Sequence, residues 1–404
     1  MDSICPQNLC TGCAACYNIC QAAAISMLPD ERGFYRPVID QARCVDCRRC
    51  AQVCPQNERK APETTGKVYA ALAVDDEIRA KSSSGGIFSL LAEGVLRSGG
   101  VVFGAALQKD LCVRHIMIAD LAQMDQLRGS KYVQSEIGTS YSQAQEMLQA
   151  GKAVLFSGTP CQIAALKGFL GKEYENLLTV DILCHGVPSP AAFRRFVDSK
   201  EKETGSKVAN VNFRKKDPGW SSFSTEISYE NGTTEIDNSF YYLFVRDYML
   251  RQSCSECLYA RDERVGDITL GDFWGYQESG PEHIENDDLG ISFVSVNTPK
   301  GEAVFRALRG KADFAERTIQ EAVKGNPVLT HPCTTHEKSA AFWEDFPKLE
   351  WDRLIKKYEI PRGKKTDRMP AEDRQYFARP YKSRHRRHLI HCAKKSVMKR
   401  LKGR

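Results

Sequence analysis

Two stretches decide how this sequence is read: CTGCAACYNIC at residues 10–20 and CVDCRRCAQVCP at residues 44–55. Each carries the pattern C-x2-C-x2-C-x3-C, and the second follows the first with a period of 34 residues. Three cysteines packed into seven residues on a tight loop can reach three irons of a cubane, and a more distant cysteine supplies the fourth corner. In bacterial runs of this kind the fourth cysteine of each run serves the other run's cluster. Cys10, Cys13, Cys16 and Cys54 are then expected to hold one 4Fe–4S cluster, and Cys44, Cys47, Cys50 and Cys20 the second. Pro55 completes the signature after Cys54, whereas Gln21 follows Cys20. Gly12, Ala14 and Ala15 are small enough to let backbone N–H groups approach inorganic sulfur. Zinc is the rival reading, but its sites favour two separated cysteine pairs. Cys5 fits neither run and reads as a bystander.

The rest of the chain frames these runs. Of 404 residues, 42% are hydrophobic and 27% charged, an ordinary globular composition of a length that suits two or three domains. No apolar stretch approaches the roughly 18 residues of a membrane span. The start, MDSICPQN, lacks the basic and apolar segments of a secretory signal, so a cytoplasmic location is expected. Sixteen cysteines in that compartment point to metal or redox chemistry instead of a disulfide framework. The formal charge of +6 is concentrated at the end: residues 380–404 hold ten Lys and Arg and no acid, leaving 47 basic against 51 acidic side chains elsewhere. The body is therefore not a nucleic-acid binder.

An α+β organisation follows. Residues 1–58 form a bacterial-type, two-cluster ferredoxin domain, QNERKAPETTG (56–66) reads as a linker, and a mixed α/β core occupies 67–345, with parts at 67–150 and 151–330. Residues 346–404 make a helical and basic C-terminal tail. In the core, VYAALAV (68–74), VVFGAAL (101–107), AVLFS (153–157), LLTVDIL (177–183), ITL (268–270) and ISFVSV (291–296) read as strands. Helical patterns lie at 85–99, 139–151 and 162–171, and an Asn-Gly turn at 231–232 joins antiparallel strands within 211–236.

Five core segments combine chemistry with turn signals. In FSGTPCQIAALKG (156–168), Thr159 is an N-cap and Pro160 the first helical residue. Cys161 then sits in the first turn, where the helix dipole favours a thiolate. Cys184 follows a strand in DILCHGVPSP (181–190), beside His185. Cys254 and Cys257 form a C-x2-C pair in CSECLYARDERVGDITLGDFWG (254–275). These four do not fall within an apolar face, and four is the number a third cubane needs; a Cys161 nucleophile with His185 as base is the alternative. Cys112, Cys333 and Cys392 read as small buried hydrophobes. KSSSGGIFSLL (81–91) is a Gly-rich turn into a helix, suited to a phosphate or pyrophosphate. GSKYVQS (129–135) offers Lys131 as a charge and Tyr132 as a stacking surface.

Taken in order, SSSGGIF, GSKYVQS, SGTPCQIAALK, DILCHGVPSP and CSECLYARDERVGDITLGDFWG resemble the coenzyme F420 hydrogenase/dehydrogenase beta-subunit family, in a variant with a two-cluster ferredoxin domain fused in front. The resemblance covers roughly residues 1–330, and the family also contains 7-hydroxymethyl chlorophyll a reductase. It implies an oxidoreductase containing FAD and at least one 4Fe–4S cluster in the core. It makes Ser83, Ser84, Gly85, Gly86, Lys131 and Tyr132 candidate flavin or substrate contacts, and Cys161, Cys184, Cys254 and Cys257 candidate ligands. Electrons are expected to pass one at a time through the clusters to FAD, which exchanges a hydride with deazaflavin F420 or another organic acceptor. His185, Lys131 and Asp272 are candidate proton or charge partners. The expected protein partner is a ferredoxin or a hydrogenase or dehydrogenase subunit, because no cysteine pairs are present for a nickel–iron centre. Two other readings stand beside this one: an electron-transfer subunit without its own substrate site, and a scaffold that has lost its flavin. The tail, with Leu389, Ile390, Val397, Met398 and Leu401 at partly helical spacing, suits anionic lipid or an acidic protein.

Overall fold

The computed structural model describes residues 3–57, 64–217, 219–278 and 283–363. The tail at 380–404, with Cys392, lies outside the described residues, as does most of the linker.

The strands, in chain order, are β1 (Ile25–Pro29), β2 (Tyr35–Ile39), β3 (Thr64–Thr65), β4 (Lys67–Ala73), β5 (Val101–Leu107), β6 (Val113–Ile118), β7 (Val154–Gly158), β8 (Leu177–Ile182), β9 (Val208–Lys215), β10 (Ser224–Tyr229), β11 (Thr234–Ile236), β12 (Glu263–Arg264), β13 (Ile268–Asp272), β14 (Ser292–Val296) and β15 (Ala312–Arg317). Eight of them form the main sheet, in the order β15-β4-β14-β13-β8-β7-β5-β6. Its centre, β13-β8-β7-β5, is parallel, and β14, β15 and β6 run antiparallel to their neighbours. The central strands are the uninterrupted apolar, β-branched runs of the sequence, as strands covered on both faces should be. β8 carries five buried residues in a row.

Helices cover the two faces. Ile87–Arg97 packs Leu90, Leu91 and Ala92 on one side with Val102, Leu155, Val180 and Val294. Ser140–Gln149 and Pro160–Leu170 pack Tyr141, Ile163, Leu166 and Phe169 on the other, against Phe103 and Phe156. Pro160–Leu170 begins as the sequence predicts, with Pro160 first and a reciprocal Thr159/Gln162 capping box.

A second layer is built on the antiparallel β11-β10-β9 ribbon, turned at Gly232 with φ +83°. Its core is aromatic: Phe193 and Phe196 of helix Pro190–Thr204, Phe213 of β9 and Phe240 of helix Ser239–Val245 interlock. Trp351, fully buried, joins them from helix Trp351–Lys357. That segment reads as tail in the sequence; in the fold its apolar face is part of the core. The β1–β2 hairpin of the cysteine-rich unit presses on the same layer, where Phe34 is buried and a Cβ on Gly33 would meet Ala191 at 2.5 Å.

Candidate metal centres and cofactor site

The repeat seen in the sequence is also a repeat of backbone conformation. Gly12 and Ala14 have φ +66° and +61°, and 34 residues on Asp46 and Arg48 have +50° and +62°. Short helices follow at Ala15–Ile19 and Arg49–Gln52. Three of these four residues are not glycine, and each accepts a left-handed conformation that ordinary side chains avoid at a cost of about 1–2 kcal/mol. The return on that strain is a loop whose amides turn inward: Gly12, Ala15 and Tyr17 direct N–H groups at the sulfurs of Cys10, Cys13 and Cys16, and Gln56 and Asn57 at Cys54. One cavity is lined by Cys10, Cys13, Cys16 and Cys54 together. Cys50 faces Cys20 and Cys47. The fourth cysteine of each run thus stands with the other run, as the spacing implies. This donor set, thiolates ringed by backbone N–H around a cavity, fits a cubane. Among the described residues no three His, Cys, Asp or Glu gather into a single-ion site.

Cys5, read from the sequence as a bystander, is not remote from the first site. Its thiol is hydrogen-bonded to both Cys10 and Cys54 and is pushed up by those bonds and by burial. In return Cys10 is held down at about 5, first by Cys5, against burial, and with help from Arg251.

The four core cysteines converge at the carboxyl edge of the main sheet. Gly158 of β7 and Asp181 of β8 are paired in register, so Cys161, three residues past the first, and Cys184, three past the second, leave the sheet side by side. Cys254 and Cys257 arrive from the 3-10 turn Gln252–Glu256. Cys161 has Cys257, Cys13 and Cys254 among its charged neighbours, and Cys184 has Cys254, Cys161 and Cys257. Cys333, expected to be an isolated buried hydrophobe, lies here too: it faces Cys254 and Cys257 and in turn acts on Cys184. Sequence reasoning missed it because HPCTTH (331–336) carries no spacing that ties it to the other four.

One expectation is reversed. The first-turn position of Cys161 was expected to favour its thiolate, but burial pushes the thiol up to about 12, with only the Thr159 hydroxyl, 3.2 Å away, working the other way. A helix dipole is worth a fraction of the cost of desolvating a buried anion. Cys254 is likewise pushed up to about 11 by burial. Such thiols need a strong positive partner to ionise, as a bound metal would be.

The two cysteine groups are neighbours. Cys13 acts on Cys161 across the boundary, and the buried Tyr259 is pushed upward by burial and then by Cys161, Cys13, Cys257 and Cys54 together. Holding the Cys254–Tyr259 segment is a buried ion pair, Arg264 with Asp181, at 3.1 Å. Asp181 also accepts from Val265 N (3.1 Å) and Gly266 N (2.8 Å), and Arg264 donates back to the carbonyls of Tyr259 (2.9 Å) and Arg261 (3.0 Å).

The predicted flavin contacts sit on the same carboxyl edge. Gly86, φ +88°, starts helix Ile87–Arg97. Gly85 N donates to Ser292 Oγ (3.0 Å) and Ser84 Oγ to Ile291 O (2.8 Å), fixing the Gly-rich loop to β14. Ser83 Oγ accepts from Ser130 N at 2.7 Å, which ties that loop to the one carrying Lys131 and Tyr132. Lys131 Nζ donates to the carbonyls of Gln126 (3.0 Å) and Arg128 (2.7 Å), and burial pushes its ammonium down to about 7. Tyr132 is stacked on Phe244 at 4.9 Å. Asp272, at the end of β13, is paired with Arg214 (2.8 Å) and accepts from Trp220 Nε1 (2.6 Å).

Sequence reasoning missed Arg214 and Lys216, although the run RKK at 214–216 was a usable signal. Arg214 is buried, donates to Ser83 O (3.1 Å) and Tyr132 Oη (3.1 Å), and keeps its Nε unpartnered. Lys216 Nζ reaches Ser84 O (3.3 Å) and Leu289 O (2.6 Å), and burial pushes it down to about 7. His185 is bound elsewhere: its Nε2 meets Asp247 Oδ1 at 2.6 Å, and no bond to Cys161 forms among the described residues.

A chain with paired cysteine runs beside a mixed sheet carrying four more cysteines at its carboxyl edge is an iron–sulfur oxidoreductase subunit in class. Family models place it further: the coenzyme F420 hydrogenase/dehydrogenase beta subunit N-terminal model matches residues 68–140, its C-terminal model 151–322, and a 4Fe-4S dicluster domain 9–57. The chain belongs to the coenzyme F420 hydrogenase/dehydrogenase beta-subunit family and carries a dicluster domain in front. Among solved structures it is similar to a chain of the F420-reducing [NiFe] hydrogenase complex from Methanosarcina barkeri, at 19% identity and a TM-score of 0.44, over 73% of this chain and 93% of that one. A search of curated proteins found no match. Among the described residues no helix is long and apolar enough to cross a membrane.

Proposed function

We propose that this chain relays single electrons between a protein partner and a flavin through three 4Fe–4S clusters. The ligands are Cys10, Cys13, Cys16 and Cys54; Cys20, Cys44, Cys47 and Cys50; and Cys161, Cys184, Cys254 and Cys257. The observation that carries this reading is that Cys13, Cys54, Cys161 and Cys257 all act on the buried Tyr259, which supports an order with the first-run site between the second-run site and the core. Cys47 is the exposed member of the second run. Its neighbour Val45 is 72% exposed, and Arg43 and Arg48 are exposed on the same loop. That exposed loop, with an apolar tip and charges of both signs (Asp40 and Asp46 beside Arg43 and Arg48), suits contact with an electron-carrier protein or a partner subunit.

Bound FAD would supply the exchange between one-electron and two-electron chemistry that an organic acceptor such as deazaflavin F420 requires. The chain's own residues fit it. Ser83, Ser84, Gly85 and Gly86 form the loop at a helix start, where N–H groups and positive charge favour phosphate. Arg214 offers a buried, unpartnered Nε beside that loop, and Lys131 and Lys216 add two amines. Tyr132 walls the site. Lys131, held near neutrality, can release or take up a proton at Nζ close to pH 7.

The test is anaerobic purification with iron, acid-labile sulfide and FAD counted per chain. About twelve irons and one FAD are expected. Eight irons would remove the core cluster, absence of FAD would leave an electron-transfer subunit, and zinc in place of iron would overturn the reading.

A further inference from the structure

Arg251 stands three residues before Cys254, and it is almost completely buried, at 1% exposure. Its backbone belongs to the core: its N–H donates to Val187 O (2.9 Å), and its carbonyl accepts from Cys254 N (2.9 Å). Its guanidinium belongs to the cysteine-rich unit. Nε donates to Cys10 O (2.7 Å), Nη2 to Tyr35 O (3.0 Å) and towards Cys10 Sγ (3.8 Å), and Nη1 to Gln134 Oε1 (3.3 Å). Phe34 underlies it, 5.3 Å from ring centre to guanidinium carbon. Among the described residues no carboxylate lies within ion-pair distance of it. A buried charge is ordinarily paired, and the anionic partner within reach here is the Cys10 sulfur. Among the described residues no fully buried guanidinium stands at the second run: Arg43 and Arg48 are exposed to water, Arg49 is half-buried, and exposed charges are screened.

We propose that Arg251 is a positioning residue that raises the reduction potential of the first-run cluster above that of the second-run cluster, and so sets the order of electron movement from second run to first run to core. This rests on the iron–sulfur reading given above. Reduction adds one electron to a cluster with no bond made or broken. A desolvated cation hydrogen-bonded to a ligand sulfur stabilises the added charge, and such hydrogen bonds and local net charge are recognised controls of cluster potential. With the first-run cluster the better acceptor, an electron arriving at the exposed second-run loop moves downhill towards the core.

The experiment is a redox titration of the anaerobically purified full-length protein, followed by electron paramagnetic resonance, for the wild type, Arg251→Gln and Arg251→Lys. A Cys47→Ser variant identifies the second-run signal by its loss. In Arg251→Gln the first-run signal should become at least tenfold harder to reduce, a fall of about 59 mV for one electron, with the second-run signal unmoved. Arg251→Lys should recover at least half of the shift. The proposal is overturned if the first-run signal moves by less than tenfold, if both signals move together, or if Lys shifts it as far as Gln. Should Arg251→Gln fail to retain iron, Arg251→Lys decides alone: a shift smaller than tenfold supports the proposal and a tenfold shift overturns it. A wild type without two distinct dicluster signals removes the underlying iron–sulfur reading, whatever the variants do.

Discussion

At the scale of single residues, positions 12 and 46 are informative because they are equivalent in the repeat and chemically different. Asp46 shows that a side chain can occupy this left-handed turn, so φ alone does not explain Gly12. What explains it is approach: a Cβ there would lie 2.5 Å from Gln134 Nε2, 2.6 Å from Tyr35 O and 2.9 Å from Arg251 Nη1. The turn at Gly12 faces the core, and the equivalent turn at Asp46 faces water. Gly12→Ala should therefore cost about 1–2 kcal/mol in backbone conformation and about 1–3 kcal/mol in overpacking, read as a lower denaturant midpoint with unchanged slope. An equal loss in Asp46→Ala, where the side chain is exposed, would contradict this account.

At the scale of elements, the core cysteines are aligned by secondary structure that lies behind them. β7 and β8 deliver Cys161 and Cys184, and the Asp181–Arg264 pair clamps the incoming Cys254–Cys257 segment to the end of β8. Removing one partner of a buried pair leaves the other charge stranded, at about 3–5 kcal/mol. Asp181→Ala is expected to unfold at lower denaturant by that amount and, if folded, to hold about four fewer irons per chain. A variant with unchanged stability and full iron would show that the clamp does not position the cysteines. Asp181 was legible only as part of an apolar strand run, since a carboxylate inside such a run has no visible partner until Arg264 is folded back on it.

At the scale of the whole molecule, the proposed path runs from an exposed loop carrying Arg43 and Arg48 to a buried edge. Electrostatic steering of a partner would act at the exposed end. Arg43→Glu combined with Arg48→Glu should slow reduction by an acidic carrier protein at least tenfold at low salt, the difference shrinking as salt screens the charges. Reduction by dithionite should be unaffected. If the protein-mediated rate is unchanged at low salt, electrons enter elsewhere.

The eight cysteines of the repeat, the placing of each run's fourth cysteine with the other run, the parallel strand runs and the Thr159–Pro160 helix start could all be read from the chain, because each depends on neighbours within about a turn or on an exact repeat. Edge strands escaped: VRHIMI (113–118) and ADFAER (312–317) carry polar residues that break the alternation, since one side of an edge strand meets water. Helix Pro190–Thr204 had visible limits, Ser189 before it and Gly205 after. The convergence of Cys161, Cys184, Cys254 and Cys257, the addition of Cys333, the burial that pushes the Cys161 thiol up, and the reach of Arg251 across 241 residues to Cys10 come from the tertiary structure alone. Spacing along a chain encodes the geometry of a single loop. Desolvation and the proximity of distant loops exist only once the sheet has brought its carboxyl edge together and the cysteine-rich unit has closed over it.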